Sequence, residues 1–279
     1  MAGMITKTEG YGMGEIIARR QFDPLYIWLD IIFLLIFMGL LLYKKKFTTV
    51  VVGLIFGLVY MAVDYGIFHL LCHARSIENG YSLFWVLLWM SMSFGFTNFT
   101  WIWLWLSKDK NLLEWSVLLI GWWICCPLIS TAFGGAQQPV IIQRTTGAYH
   151  GYMAAILIVG YLGLVIWNIT RKEAALKAPV LWLLGIGILA QFGWEAGLLI
   201  GGVRSAGFET LEAKLATLVV NSLLETNLGM PYIYMIFIAF SAKFTEQGKR
   251  REPCLTFQER IRESNRERVW REDGRGETM

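Results

Sequence analysis

Seven apolar runs, near residues 25–43, 48–72, 82–106, 112–133, 149–169, 179–201 and 213–242, each match the ~20 mostly apolar residues that a hydrocarbon core requires. A backbone in lipid must satisfy its own polar groups, and for separate runs of this length that means helices. Only 16% of the 279 residues are charged, against about 25% in soluble domains. The expected fold is all-α: a polytopic membrane protein with seven transmembrane helices over 25–243, an extracytoplasmic segment 1–24 and a charged tail, 244–279. About two dozen mixed residues precede the first run and no small-residue cleavage pattern follows it, so it reads as a span and not as a removable signal.

Orientation follows from Lys and Arg in the short loops. Lys44, Lys45 and Lys46 follow span one, Lys108 and Lys110 follow span three, and Arg171, Lys172 and Lys177 follow span five. The opposite loops are poorer, with His73 and Arg75, then Arg144, then Arg204 and Lys214. This pattern puts the N-terminus outside and the tail in the cytoplasm. Because topology accounts for the basic residues, the net charge of +4 calls for no nucleic-acid partner. The expected surroundings are a lipid bilayer and a hydrophobic small molecule.

Spans one to three laid over spans five to seven suggest an internal repeat. Asp64-Tyr65-Gly66-Ile67 answers Glu195-Ala196-Gly197-Leu198, and Thr97-Asn98-Phe99 answers Thr226-Asn227-Leu228. The implied architecture is three plus one plus three, with parallel halves and span four as linker.

Asp64, Glu195 and Glu225 are carboxylates inside apolar spans, where a charge costs a few kcal/mol and turns toward protein or water. A shared polar cavity opening outward is the expected arrangement. Gln191 and Glu195 share a helix face, as do Asn221 and Glu225, so each pair is expected to hydrogen-bond. Pro231 cannot donate to the Asn227 carbonyl, which predicts a kink and a free oxygen beside Glu225. Trp194 is expected as a cavity wall, and Asn98, Gln191, Asn221 and Asn227 as groups that orient a substrate. Asp64, Glu225 and Glu195 are then the candidate catalytic residues.

His69, His73 and His150 lie at one membrane face and are weak candidates for zinc. His69 and His73 share a helix face, but no second pair repeats their spacing, so no metal is expected. No phosphate-binding glycine loop or serine elbow occurs, and span seven has no mid-membrane Lys for a retinal Schiff base. No cofactor is expected.

Span seven, Leu224-Glu225-Thr226-Asn227-Leu228-Gly229-Met230-Pro231-Tyr232-Ile233-Tyr234, resembles the last span of the integral-membrane terpene cyclases of indole-diterpene and meroterpenoid pathways. There an acid is followed four residues later by Gly and then by an aromatic-rich segment. That family also has seven spans and a second essential acid in span two, the place of Asp64. Val63 and Tyr60 stand where the family has Trp and Asn, and Gln191-Phe192-Gly193-Trp194-Glu195 in span six fits that motif more closely. The resemblance implies protonation of an epoxide or alkene of a prenyl substrate by a carboxyl group, and guidance of the resulting carbocation, with Asp64 and Glu225 as acid and cation stabiliser. A small-solute carrier of the PQ-loop type shares the parallel three-plus-one-plus-three plan, although spans one, two, five and six here lack its internal prolines. A receptor or structural membrane protein is the third reading.

Overall fold

The computed structural model describes residues 18–135, 137–144, 149–172, 177–204 and 210–247, with side chains through 241. The N-terminal residues 1–17 and the tail from 248 lie outside the described residues. Helices α1 (Pro24–Tyr43), α2 (Phe47–Met61), α3 (Leu83–Leu106), α4 (Leu112–Phe133), α5 (His150–Thr170) and α6 (Val180–Ile200) follow the first six apolar runs. Counting α2 with its extension to Leu71, all six are long and apolar enough to cross a membrane. They mark a multi-pass membrane protein. Their outward faces carry Ile32, Leu35, Ile36, Val51, Leu58, Ile158 and Val165, exposed to the surroundings as bilayer-facing residues would be.

The seventh run departs from a single span. It divides into α7 (Leu211–Leu224) and α8 (Met230–Gln247), separated by turns at 225–229. Pro231 lies in the first turn of α8, where its missing N–H costs nothing. The break therefore falls ahead of the proline and not at a kink within one helix. The Asn227 carbonyl is not free, because it accepts from the Met230 N–H at 3.2 Å.

Beyond Met61 the second span winds as a π-helix over Ala62–Leu71, with the Cys72 N–H donating to the Ile67 carbonyl five residues back at 2.9 Å. Such segments are rare and collect at functional sites. Asp64 lies in this segment. At the α2–α3 crossing a Cβ added to Gly95 would fall 2.7 Å from the Gly57 Cα, so the two backbones touch.

The fold is all-helical as expected, with three short strands added at one end. β1 (Ala18–Phe22), β2 (Arg75–Ile77) and β3 (Val140–Arg144) form an antiparallel sheet in the order β1-β3-β2. They come from the segment before α1, the α2–α3 connection and the α4–α5 connection, and the Gln21 N–H donates to the Val203 carbonyl at 3.0 Å after α6. The sheet thus ties the N-terminal segment and three connections together across one end of the bundle. At the other end Lys46 pairs with the nearly buried Asp109, joining the α1–α2 and α3–α4 turns.

Strand alternation gives the sheet a buried face of Arg20, Phe22, Arg75, Val140, Ile142 and Arg144. The other face carries the exposed Arg19–Glu78 pair. Arg75 and Arg144 are direct cross-strand partners. Two like charges in that relation repel, so the register needs an anion beneath it.

Candidate functional site

That anion is Asp64. Arg75 Nη2 lies 2.7 Å from Asp64 Oδ1 and Arg75 Nε donates to the same oxygen at 2.8 Å, while Arg144 Nη2 approaches it at 3.4 Å. The Arg75 guanidinium also lies over the Phe68 ring, 4.5 Å from its centre. Glu195 has an equivalent arrangement. Arg20 Nη2 and Arg204 Nη2 each donate to Oε1 at 3.1 Å, and Arg204 Nε lies 2.9 Å from Oε2. All six residues are buried. A carboxylate removed from water is tolerable only when closely paired, which explains why this apolar chain retains Asp64 and Glu195.

The guanidiniums act on one another as well as on the acids. Burial lowers the Arg20 pKa to about 10, with Arg144 and Arg204 pushing the same way and Glu195 opposing. Burial and the neighbouring Arg144 likewise lower Arg75. Burial also pulls Arg144 down, but Asp64, then Tyr60 and Glu225, outweigh it and hold Arg144 above its ordinary value. Arg20, at about 10, therefore stays cationic near neutral pH.

Glu225 differs from the other two acids. It stands at the break between α7 and α8, is only partly buried, and accepts a hydrogen bond from Gln191 Nε2 at 2.8 Å. Among the described residues it has no ion pair within 4 Å. Gln191 links it to the Glu195 cluster, because the same nitrogen lies 3.4 Å from Glu195 Oε1 and its carbonyl oxygen accepts from Thr226 Oγ1 at 2.6 Å. Asn221 turns to Glu195 instead of Glu225, with Nδ2 3.4 Å from Oε1.

Asp64 and Glu225 both line a cavity of about 500 Å³, within the range usual for small-molecule sites. One wall is α2 with its π-helical extension, through Phe56, Val59, Tyr60, Val63 and Ile67; the facing wall is α5 and α8, through Tyr152, Met153, Ile156, Tyr232 and Ile236. Val59, Ile67, Tyr152, Ile156 and Tyr232 are also exposed on the outer surface, so the cavity opens sideways toward the bilayer. Its lining is almost wholly apolar and rich in aromatic rings, apart from Asp64, Arg75, Arg144, Tyr60, Glu225 and Thr226.

The other expected residues lie elsewhere. Glu195 and Gln191 are buried behind the cavity and do not line it. Trp194 packs edge-on against Phe94 and Trp123 at 5.4 and 5.6 Å, as a core residue and not a cavity wall. Asn98 donates to the Phe94 carbonyl of its own helix at 3.0 Å. Asn227 accepts from the Tyr161 hydroxyl at 3.3 Å and donates to the Ser222 carbonyl at 3.3 Å. Neither asparagine lines the cavity. Among the described residues no three His, Cys, Asp or Glu side chains converge as a metal site, and His69 instead meets the Arg75 carbonyl at 3.3 Å and the Tyr65 ring.

In the sequence Arg75, Arg144 and Arg204 read only as loop charges that set topology, and sequence reasoning passed over Arg20 and one more acid. Asp30, in α1, is buried and accepts from the indole N–H groups of Trp89 at 3.0 Å and Trp122 at 3.1 Å. The arginines left a signal. Connections at the Asp109 end carry mainly Lys, while Arg75, Arg144 and Arg204 stand at the sheet end. A planar guanidinium with several donors suits buried carboxylates, and a strongly hydrated ammonium does not. Comparison with family models, curated proteins and solved structures finds no match to this chain.

Proposed function

We propose that this protein is a membrane enzyme in which Glu225 acts as general acid on a lipid-like substrate, in the manner of a membrane terpene cyclase. The observation that carries this reading is Glu225 itself: among the described residues, the carboxyl group on the cavity wall with no ion pair within 4 Å, beside an apolar, aromatic-lined space open to lipid. A protonated carboxyl there can donate to an epoxide or alkene, and aromatic faces such as Tyr60, Phe94 and Phe99 can steady a developing cation. Asp64, bound by two arginines, is suited to remain an anion and not to deliver a proton.

We also read α7 and α8 together as a seventh, broken crossing, which sets the N-terminus outside and the tail inside. Similarity between the halves extends to the arginines. Asp64 is followed by Arg75 and Glu195 by Arg204, each Arg folding back onto its acid beyond a positive-φ residue, His73 at 51° and Gly202 at 77°. The broken helix also favours a carrier as the second reading, since discontinuous helices commonly frame transport sites.

Purified protein in detergent, given a panel of epoxidised prenyl lipids, tests both. Glu225→Gln keeps the side-chain volume and is expected to lower turnover by about 10²-fold or more. Unchanged turnover in Glu225→Gln sinks the acid mechanism. Solute accumulation in proteoliposomes without chemical change moves the assignment to the carrier.

A further inference from the structure

We infer that the polar end of the cavity holds the anionic head of a single-chain amphiphile whose tail lies along the gap between α2 and α5/α8. This rests on the reading of the cavity as a ligand site and adds the substrate's charge. Among the described residues four guanidiniums, Arg20, Arg75, Arg144 and Arg204, face three carboxylates, Asp64, Glu195 and Glu225. If Glu225 is ionised the cluster carries one excess positive charge, and if Glu225 holds its proton it carries two. On the exposed face of the sheet Arg19 and Glu78 pair with each other.

The excess is directed at the cavity. Arg75 and Arg144 line it, and Arg144 Nε is buried without a hydrogen-bond partner. Asp64 Oδ2, on the same lining, is also buried and unpartnered. An unmet donor and an unmet acceptor on two residues of the same lining suit a head with an anionic oxygen and a hydroxyl, such as a phosphate monoester, or a carboxylate with a neighbouring hydroxyl. A cationic head would meet the guanidiniums, and a neutral one would leave the excess charge uncompensated in a low-dielectric site. Hydrogen bonds between charged partners are about twice as strong as neutral ones, so the head sets the ligand's orientation. Its tail then runs past Val59, Tyr152 and Ile156 toward the lipid side.

The test is binding of parinaric acid and of its methyl ester to full-length protein in neutral detergent, followed by energy transfer from the 13 tryptophans. The acid is expected to bind about tenfold or more tightly than the ester. Hexadecyl phosphate should displace it, whereas hexadecanol and inorganic phosphate should not. Arg144→Gln should bring acid and ester to within about twofold of each other, while Arg144→Lys keeps part of the preference. Equal affinity of acid and ester in the wild-type protein overturns the proposal without any variant having to fold. Displacement by inorganic phosphate alone overturns the amphiphile and leaves a free-anion site. Loss of turnover in Glu225→Gln with no acid preference overturns this inference alone. An acid preference with undiminished turnover in Glu225→Gln overturns the catalytic reading alone.

Discussion

Replacing Glu195 with Gln would leave Arg20 and Arg204 facing an amide where they now face a carboxylate at 2.9–3.1 Å. The side chain keeps nearly its volume, so packing around it is preserved and the change is electrostatic. Removing one partner of a buried pair costs about 3–5 kcal/mol, because the charge left behind is uncompensated. Here the surroundings already carry excess positive charge, which pushes the loss toward the upper figure. For a large domain 1 kcal/mol moves the melting midpoint by about 2–4 °C, so the midpoint should fall by about 6–20 °C. Intrinsic tryptophan fluorescence during a thermal ramp in detergent reads this directly. Glu225→Gln is the internal contrast, since it disturbs one hydrogen bond from Gln191 at a partly exposed site and should cost no more than about 1.5 kcal/mol. A second substitution, Arg204→Met, should recover part of the loss in Glu195→Gln by removing one unpaired charge. A Glu195→Gln midpoint within about 2 °C of wild type, or strictly additive effects in the double variant, would refute the view that these ion pairs hold the end of the bundle together.

At the α2–α3 crossing Gly95→Ala puts a methyl group against the Gly57 backbone and should cost about 1–3 kcal/mol. Gly121→Ala, which meets nothing within 4 Å, should leave the midpoint unchanged or raised; equal effects from both would show that the crossing has slack. Single cysteines at Lys45, Lys110 and Lys177 should all react with an impermeant maleimide from the side opposite to one at Glu78. Labelling of positions 110 and 177 from opposite faces would break the seven-crossing topology.

Much of the architecture can be read from hydropathy because the bilayer imposes a length and a composition on each crossing. The bounds of the first six runs agree with the helices to within a few residues for this reason. Span seven was less legible: Asn227, Gly229 and Pro231 inside an apolar run predict a kink, and only the packed structure decides that the chain breaks ahead of the proline into two helices. The sheet was invisible to the same measure. Its three strands have three to five residues each and lie far apart in sequence, and none is stable without the other two.

The sequence by itself determined that this chain is helical, crosses a membrane several times, and must find partners for Asp64, Glu195 and Glu225, because a lone charge in hydrocarbon is too costly. Which partners they find was decided only in three dimensions. Arg20 lies 175 residues from Glu195 and Arg144 lies 80 from Asp64, separations over which no helical or strand periodicity operates. The sheet sets those distances by bringing the N-terminal segment and three connections together at one end of the bundle. It thereby divides three similar-looking acids into two held as buried ion pairs and one, Glu225, left facing the cavity.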